Sequence, residues 1–115
     1  MSSSKSKKLT NQEVTTQFNL KKNELQTIAQ KIGELESEVE EHKAVIDTIS
    51  PLNGDRKCFR LVGGVLVERT VKDVLPALQT NHDGIKRAID QLVQSYKTKE
   101  EEFVAFQKEH NIITT

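Results

Sequence analysis

The chain has 115 residues, of which 35% are hydrophobic, 30% are charged and 4% are aromatic, and its mean hydropathy is −0.57. This composition suits long solvent-exposed helices better than a compact globule, and the length leaves room for one domain. The 17 basic residues balance 17 acidic ones, so the overall charge predicts neither a nucleic-acid partner nor an anionic membrane partner.

The N-terminal region predicts a disordered tail followed by a helix. Residues 1–9 form the tail, because its Ser and Lys side chains have nothing to bury. Thr10 and Glu13 have the Thr-x-x-Glu spacing of a capping box, in which each side chain satisfies a free backbone amide at a helix start. We therefore expect a first helix over residues 10–50. It ends at a Ser-Pro step, since proline excludes its predecessor from the α region.

The first helix has the apolar spacing of a coiled coil. Apolar residues recur at intervals of 3 and 4 over about five heptads, which is typical of a coiled-coil seam. At about 1.5 Å per residue, this helix would measure roughly 58 Å. The seam positions are Val14, Phe18, Lys21, Leu25, Ile28, Ile32, Leu35, Val39, His42, Ile46 and Ile49.

A turn-rich connector over residues 51–56 leads into a β-rich stretch, residues 57–70. Two apolar runs flank Gly63 and Gly64, and two residues that tolerate positive φ between such runs predict a two-residue hairpin turn. Pairing then counts outward from the turn, which gives the pairs Val62 with Val65, Leu61 with Leu66, Arg60 with Val67 and Phe59 with Glu68.

This hairpin would be apolar on both faces, with Phe59, Leu61 and Leu66 on one and the valines on the other. A lone two-stranded ribbon is marginal in water and exposes unpaired backbone groups at both edges. We therefore expect other chains to complete the sheet. The residues assigned to this assembly surface are Cys58, Phe59, Leu61, Val62, Gly63, Gly64, Val65, Leu66 and Val67.

A second helix is expected over residues 71–110, after a Thr-x-x-Asp start, with residues 111–115 as a tail. Pro76 lies too far inside it to be harmless, so we expect a kink or a short separate first turn. Gly84 lowers helix stability by about 1 kcal/mol relative to Ala, and the sequence does not explain it. The seam positions are Val71, Leu75, Leu78, His82, Ile85, Ile89, Leu92, Tyr96, Lys99, Phe103, Phe106 and His110, with Ile113 beyond the helix.

Two long helices joined by a hairpin fold back most simply as an antiparallel coiled coil. If the residue numbers of two facing seam positions sum to about 120 to 125, the polar seam residues of the two helices lie at the same levels. Polar residues at seam positions weaken a coiled coil but specify its alignment. Lys21 would then lie level with Lys99, and His42 within a turn of His82. The glutamates available to the two lysines are Glu24 beside Lys99, and Glu101 or Glu102 beside Lys21.

The sequence predicts no catalytic site, metal site or cofactor. Of the soft metal ligands, His42 and His82 can meet, but the third histidine and Cys58 fall elsewhere. The Gly-Gly pair lacks the Lys-Ser/Thr of a phosphate loop. Cys58 has no adjacent His base and is better interpreted as a small buried side chain. We therefore expect a protein that is not an enzyme.

One end of the coil gathers three of the four phenylalanines, outboard of the lysine pair. Two interpretations stay open: they are ordinary seam residues of a fraying end, or the helices splay and present apolar surface to a partner. The candidate binding residues are Val14, Phe18, Phe103, Phe106, Ile112 and Ile113.

Localisation follows from weaker signals. The start of the sequence lacks the apolar core of a signal peptide, and no run approaches the roughly 18 apolar residues of a membrane span. The single cysteine rules out an internal disulfide and agrees with a reducing compartment. We expect a cytoplasmic protein, with the nucleus as a further compartment.

The order helix, hairpin, helix, with RKCFRLVGGVLVERTVKDVLPAL at residues 56–78, resembles the β-type subunits of prefoldin. The most specific part is residues 58–70 followed by Val74-Leu75-Pro76. An α-type subunit would be expected to show a second hairpin, whereas this sequence predicts a single hairpin.

The resemblance implies a heterohexamer of two α-type and four β-type subunits, whose hairpins form an intersubunit β-barrel from which six coiled coils project. The tips would hold unfolded clients such as actin and tubulin. These clients would pass to the cytosolic chaperonin without ATP. An alternative within the same architecture is a scaffold or tether subunit that holds no clients.

Overall fold

A computed structural model describes residues 9–111 of the chain. Helix α1 spans Asn11–Ile49, strand β1 Lys57–Val62, strand β2 Val65–Thr70 and helix α2 Val71–Glu109. The fold is therefore two long helices with a two-stranded antiparallel hairpin between them, as predicted. Residues 1–8 and 112–115, which hold most of both predicted tails, lie outside the described range.

The start of α1 is fixed by the predicted capping box. The backbone N–H of Thr10 donates to Glu13 Oε1 at 2.8 Å, and the N–H of Glu13 donates to Thr10 Oγ1 at 3.1 Å. Both bonds satisfy amides that have no partner inside the helix. The side chains of the two residues thus determine where the helix begins.

The burial of α1 follows the predicted seam. Each predicted seam position from Val14 to Ile49, including Lys21 and His42, is half-buried, and every other residue of the helix is exposed. This stripe is what spacing of 3 and 4 produces when one face of a helix packs on a neighbour.

The hairpin has the predicted register, from Lys57 opposite Thr70 to Val62 opposite Val65. At the turn, Gly63 has φ 56° and Gly64 has φ 82°. Positive φ at both central residues is the requirement of a type I′ turn, whose twist matches that of the flanking strands. The Gly-Gly pair therefore sets the register of the whole ribbon.

The connector between α1 and β1 anchors the start of α2. The N–H of Val71 donates to the carbonyl of Arg56 and that of Lys72 to the carbonyl of Gly54, both at 3.0 Å. Among the described residues Val71 is the one fully buried side chain, at 1% exposure. The hydrophobic core is consequently small.

Helix α2 continues through Pro76, so the alternative of a short separate first turn is wrong, and the alternative of a kink stays a prediction. The N–H groups of Val71 and Lys72 bond to connector carbonyls, which satisfies two first-turn amides that have no partner inside the helix. At the other end, Asn111 has φ 54°, the left-handed conformation common just after a helix.

The chain divides into two compact units, which we name by their content. The hairpin unit is residues 32–91. The terminal unit is residues 1–31 with 92–115, of which 9–31 and 92–111 are described. None of the described helices is both long enough and apolar enough to span a bilayer.

Candidate assembly surface and tip site

The apolar residues of the hairpin are exposed on both faces. On one face Phe59, Leu61 and Leu66 are 62%, 69% and 64% exposed, and on the other Val62 and Val65 are 54% and 63% exposed. These values are high for large apolar side chains that lie side by side in one sheet. The hairpin thus presents apolar surface on both faces that the described residues leave uncovered.

The hairpin face that carries Val62 and Val65 differs from the opposite face in its burial and in its charge. Cys58 and Val67, which lie farther from the turn than Val62 and Val65, are half-buried. The same face carries Arg60, which pairs with Val67, and Arg69, which pairs with Cys58. We call this set the basic face: Cys58, Arg60, Val62, Val65, Val67 and Arg69.

The ion pairs around the hairpin use lysines. Lys57 Nζ lies 3.7 Å from Glu68 Oε1, and Lys72 Nζ lies 3.4 Å from Asp55 Oδ1. Within the described part of the chain, no carboxylate lies within 4.0 Å of the guanidinium of Arg60 or Arg69. The basic face therefore has two cations without an internal counter-charge.

In the terminal unit, the polar seam residues follow the predicted register in part. Lys99 Nζ donates to Glu24 Oε2 at 3.3 Å, the partner expected for it. The expected partner of Lys21 is wrong. Its ammonium lies 5.5 Å from the ring centroid of Phe106, a cation–π contact in place of an ion pair with Glu101 or Glu102.

The predicted tip phenylalanines pack within the seam. The rings of Phe18 and Phe103 have centroids 5.2 Å apart and are tilted by 34°, and Phe106 lies 4.5 Å from the ring of His110. Val14 is half-buried, like these phenylalanines. Phe18 and Phe103 therefore pack on each other across the two helices, and the binding role of the tip residues stays a prediction. The predicted sites Ile112 and Ile113 lie outside the described residues.

Other apolar residues of the terminal unit are more exposed, and they are not among the candidate residues predicted from the sequence. Leu20 and Val104 are 53% and 40% exposed. Val104 lines a shallow groove of about 360 Å³ together with Ala105, Lys108 and two glutamates. Both residues lie off the 3 and 4 spacing, at positions that the seam pattern predicts to be exposed to solvent. An apolar residue at such a position is the signal by which they could have been predicted.

In the hairpin unit, the histidines bond within their own helices. His42 Nδ1–H donates to the carbonyl of Glu38 at 2.9 Å, and His82 Nδ1–H donates to Asp83 Oδ1 at 3.2 Å. The second bond, with one from Gln79, lowers the pKa of the Asp83 carboxyl. No group of three potential metal ligands converges among residues 9–111.

Both helices of the hairpin unit line a groove of about 530 Å³. Its apolar members are Val39 on α1 and Ile89 on α2, with His82 beside them. Val39 and His82 fall within the predicted antiparallel register, as do Phe18 and Phe103 in the terminal unit. The seam alignment therefore agrees with the structure separately in each unit.

These features define a class of protein: helix–hairpin–helix coiled-coil chains whose small sheet is incomplete on its own. The sequence matches the family described as prefoldin subunit over residues 12–115, and the chain belongs to this family.

The relatives agree with this assignment. The chain is 50% identical over 97 residues to a probable prefoldin subunit 2 of Schizosaccharomyces pombe. The aligned region covers 84% of this chain and 85% of that protein. It is 46% identical over 101 residues to human prefoldin subunit 2, and this aligned region covers 88% of this chain and 66% of the human protein. The match thus spans just under two thirds of the human relative.

A solved structure shows the same fold. The crystal structure of the prefoldin beta subunit from Thermococcus strain KS-1 has a TM-score of 0.76 and 20% sequence identity, over 85% of this chain and 86% of that one. The resemblance that the sequence predicted is therefore confirmed, and so is the single-hairpin fold of the β type.

Proposed function

We propose that this chain is one β-type subunit of a heterohexameric co-chaperone that works without ATP. Its partners would be two α-type and three other β-type prefoldin subunits. The observation that carries the proposal is the exposure of Phe59, Leu61 and Leu66 on one face of the hairpin and of Val62 and Val65 on the other. A barrel built from the hairpins of several subunits would cover such residues and close the strand edges.

We further propose that the terminal unit holds unfolded clients of the actin and tubulin class and passes them to the cytosolic chaperonin. The exposed Val104, with the half-buried Phe103 and Phe106 beside it in sequence, supplies apolar contact area. A small patch binds weakly, but several such patches in one hexamer raise the effective concentration without tight binding at any one of them.

The test is suppression of aggregation of a denatured protein by the assembled complex. Val104→Ser should reduce suppression, because it removes apolar surface without disturbing the seam. Val45→Ser is the matched control, since Val45 is 45% exposed, lies off the seam and belongs to the hairpin unit. Phe18→Ser and Phe106→Ser should reduce suppression further. Full activity of all these variants in intact hexamers would remove the tip assignment.

A second candidate is a scaffold or tether subunit that holds no clients. The packing of Phe18 on Phe103 favours it, because both rings are already occupied in the free chain. A wild-type hexamer that assembles but does not suppress aggregation would select this function over client capture.

We place the protein in the cytoplasm, with the nucleus as a further compartment. The free thiol of Cys58 supports this, since reducing compartments keep such thiols unpaired. Fluorescence microscopy of the full-length tagged chain tests the placement, and a secreted or membrane-enclosed signal would contradict it.

A further inference from the structure

The hairpin and the residues that flank it carry an excess of basic side chains within a chain that is neutral as a whole. Residues 55–72 hold five basic and two acidic side chains, whereas the full sequence holds 17 of each. Residues 57–70 alone hold three basic side chains and one acidic, so part of the excess lies on the hairpin that we assign to subunit assembly.

The two carboxylates of this segment are already paired with lysines. Glu68 is the partner of Lys57, and Asp55 is the partner of Lys72. Arg60 and Arg69 have no such partner among residues 9–111. Any carboxylate that neutralises them comes from outside the described chain.

The two arginines are placed to act together. Arg60 pairs with Val67 and Arg69 with Cys58, so they are diagonal neighbours on the basic face, a relation that separates Cβ atoms by about 7 to 8 Å. A guanidinium presents a planar fork that binds a carboxylate through two hydrogen bonds. Two such groups at this spacing fit two carboxylates on one facing strand or on adjacent strands.

We propose that the basic face docks against the hairpin of a different prefoldin subunit that presents carboxylates to Arg60 and Arg69. This charge match selects which subunit becomes the neighbour. The inference rests on the proposed function and deepens it, because it names the chemistry of the partner surface.

A second copy of this chain is a poorer partner. Its basic face carries the same two arginines, and its hairpin carboxylate is already paired with Lys57, so like charges would approach each other. A nucleic acid is also a poorer partner. Val62 and Val65, between the arginines and the turn, are more than half exposed and need an apolar cover that a phosphate backbone does not supply.

The experiment is competitive incorporation into hexamers assembled from this chain and its five partner subunits. Tagged wild-type chain competes with Arg60→Gln/Arg69→Gln and with the charge reversal Arg60→Glu/Arg69→Glu, at about 50 mM and about 500 mM salt. The matched control is Arg87→Gln/Lys97→Gln, which removes the same charge from exposed positions of α2.

We expect the neutral variant to incorporate about tenfold less well at low salt and to lose most of the salt dependence that the wild type shows. The charge reversal should be excluded, and the control should behave as the wild type. Far-UV circular dichroism should show the same helix content in all variants, since both arginines are exposed.

Equal incorporation of the charge-reversed variant would overturn the proposal while leaving the proposed function intact. A wild-type chain that joins no hexamer would instead refute the proposed function. Stable self-association through the basic face would replace the proposed partner with a second copy. Arginine-dependent binding of a single-stranded oligonucleotide, with assembly unchanged, would replace it with a nucleic acid.

Discussion

Polar substitution of the cross-strand pair Leu61 and Leu66 should weaken assembly and spare the isolated chain. The two residues are 69% and 64% exposed. Full burial of a leucine stabilises by about 1.5 to 3 kcal/mol, so covering the exposed part of each contributes about 1 to 2 kcal/mol. Leu61→Gln/Leu66→Gln should therefore lower the association constant by about 30-fold to 1,000-fold.

The assay is a titration of the chain into its partner subunits, followed by native mass spectrometry. Leu20→Gln is the control, because Leu20 is 53% exposed on the outward side of α1 and should leave assembly unchanged. The unfolding free energy of the isolated double variant, measured by chemical denaturation, should change by no more than about 0.5 kcal/mol. Assembly at wild-type strength, or an equal loss of stability in the isolated chain, would refute the reasoning.

Three further predictions concern the hairpin unit. The variant Leu35→Cys/Lys86→Cys, which also carries Cys58→Ser, should form a disulfide under mild oxidation because the seam register brings the two positions close. Failure to crosslink would contradict that register. Val71→Ala should lower the unfolding free energy by about 2 kcal/mol in chemical denaturation, because it opens a cavity at the one fully buried side chain of the described residues. The hydrogen bond from His82 lowers the pKa of the Asp83 carboxyl below its ordinary 3.8. The ionised carboxylate therefore stabilises the folded state above pH 3.8, and this stabilisation is lost as the pH falls through the lowered pKa. His82→Gln should raise the Asp83 pKa in an NMR titration, and an unchanged value would show that the bond is absent in solution.

Much of the fold could be predicted because its signals are local and periodic. The 3 and 4 spacing identified every half-buried residue of α1, and the Gly63-Gly64 pair identified the turn and hence the register of the hairpin. In both cases the residue type fixes the backbone or the buried face without help from distant parts of the chain.

The failures arose where two distant parts of the chain meet. Pro76 lies inside a continuous α2, whose first two amides bond to connector carbonyls, a contact that no local signal shows. Lys21 lies over Phe106, since the choice between a ring and a nearby carboxylate depends on the exact packing of two helices. Gly84 remains without an explanation, because a Cβ there would meet little of the chain.

The central claim is that the hairpin of this chain is incomplete alone and is completed by different subunits. The native mass of the purified chain, measured before and after mixing with an α-type prefoldin subunit, tests it most directly. We predict a shift from the free chain to a defined hetero-oligomer, and to a hexamer once the other β-type subunits are added. A monomer whose mass and hairpin exposure stay unchanged in the presence of every partner would contradict it.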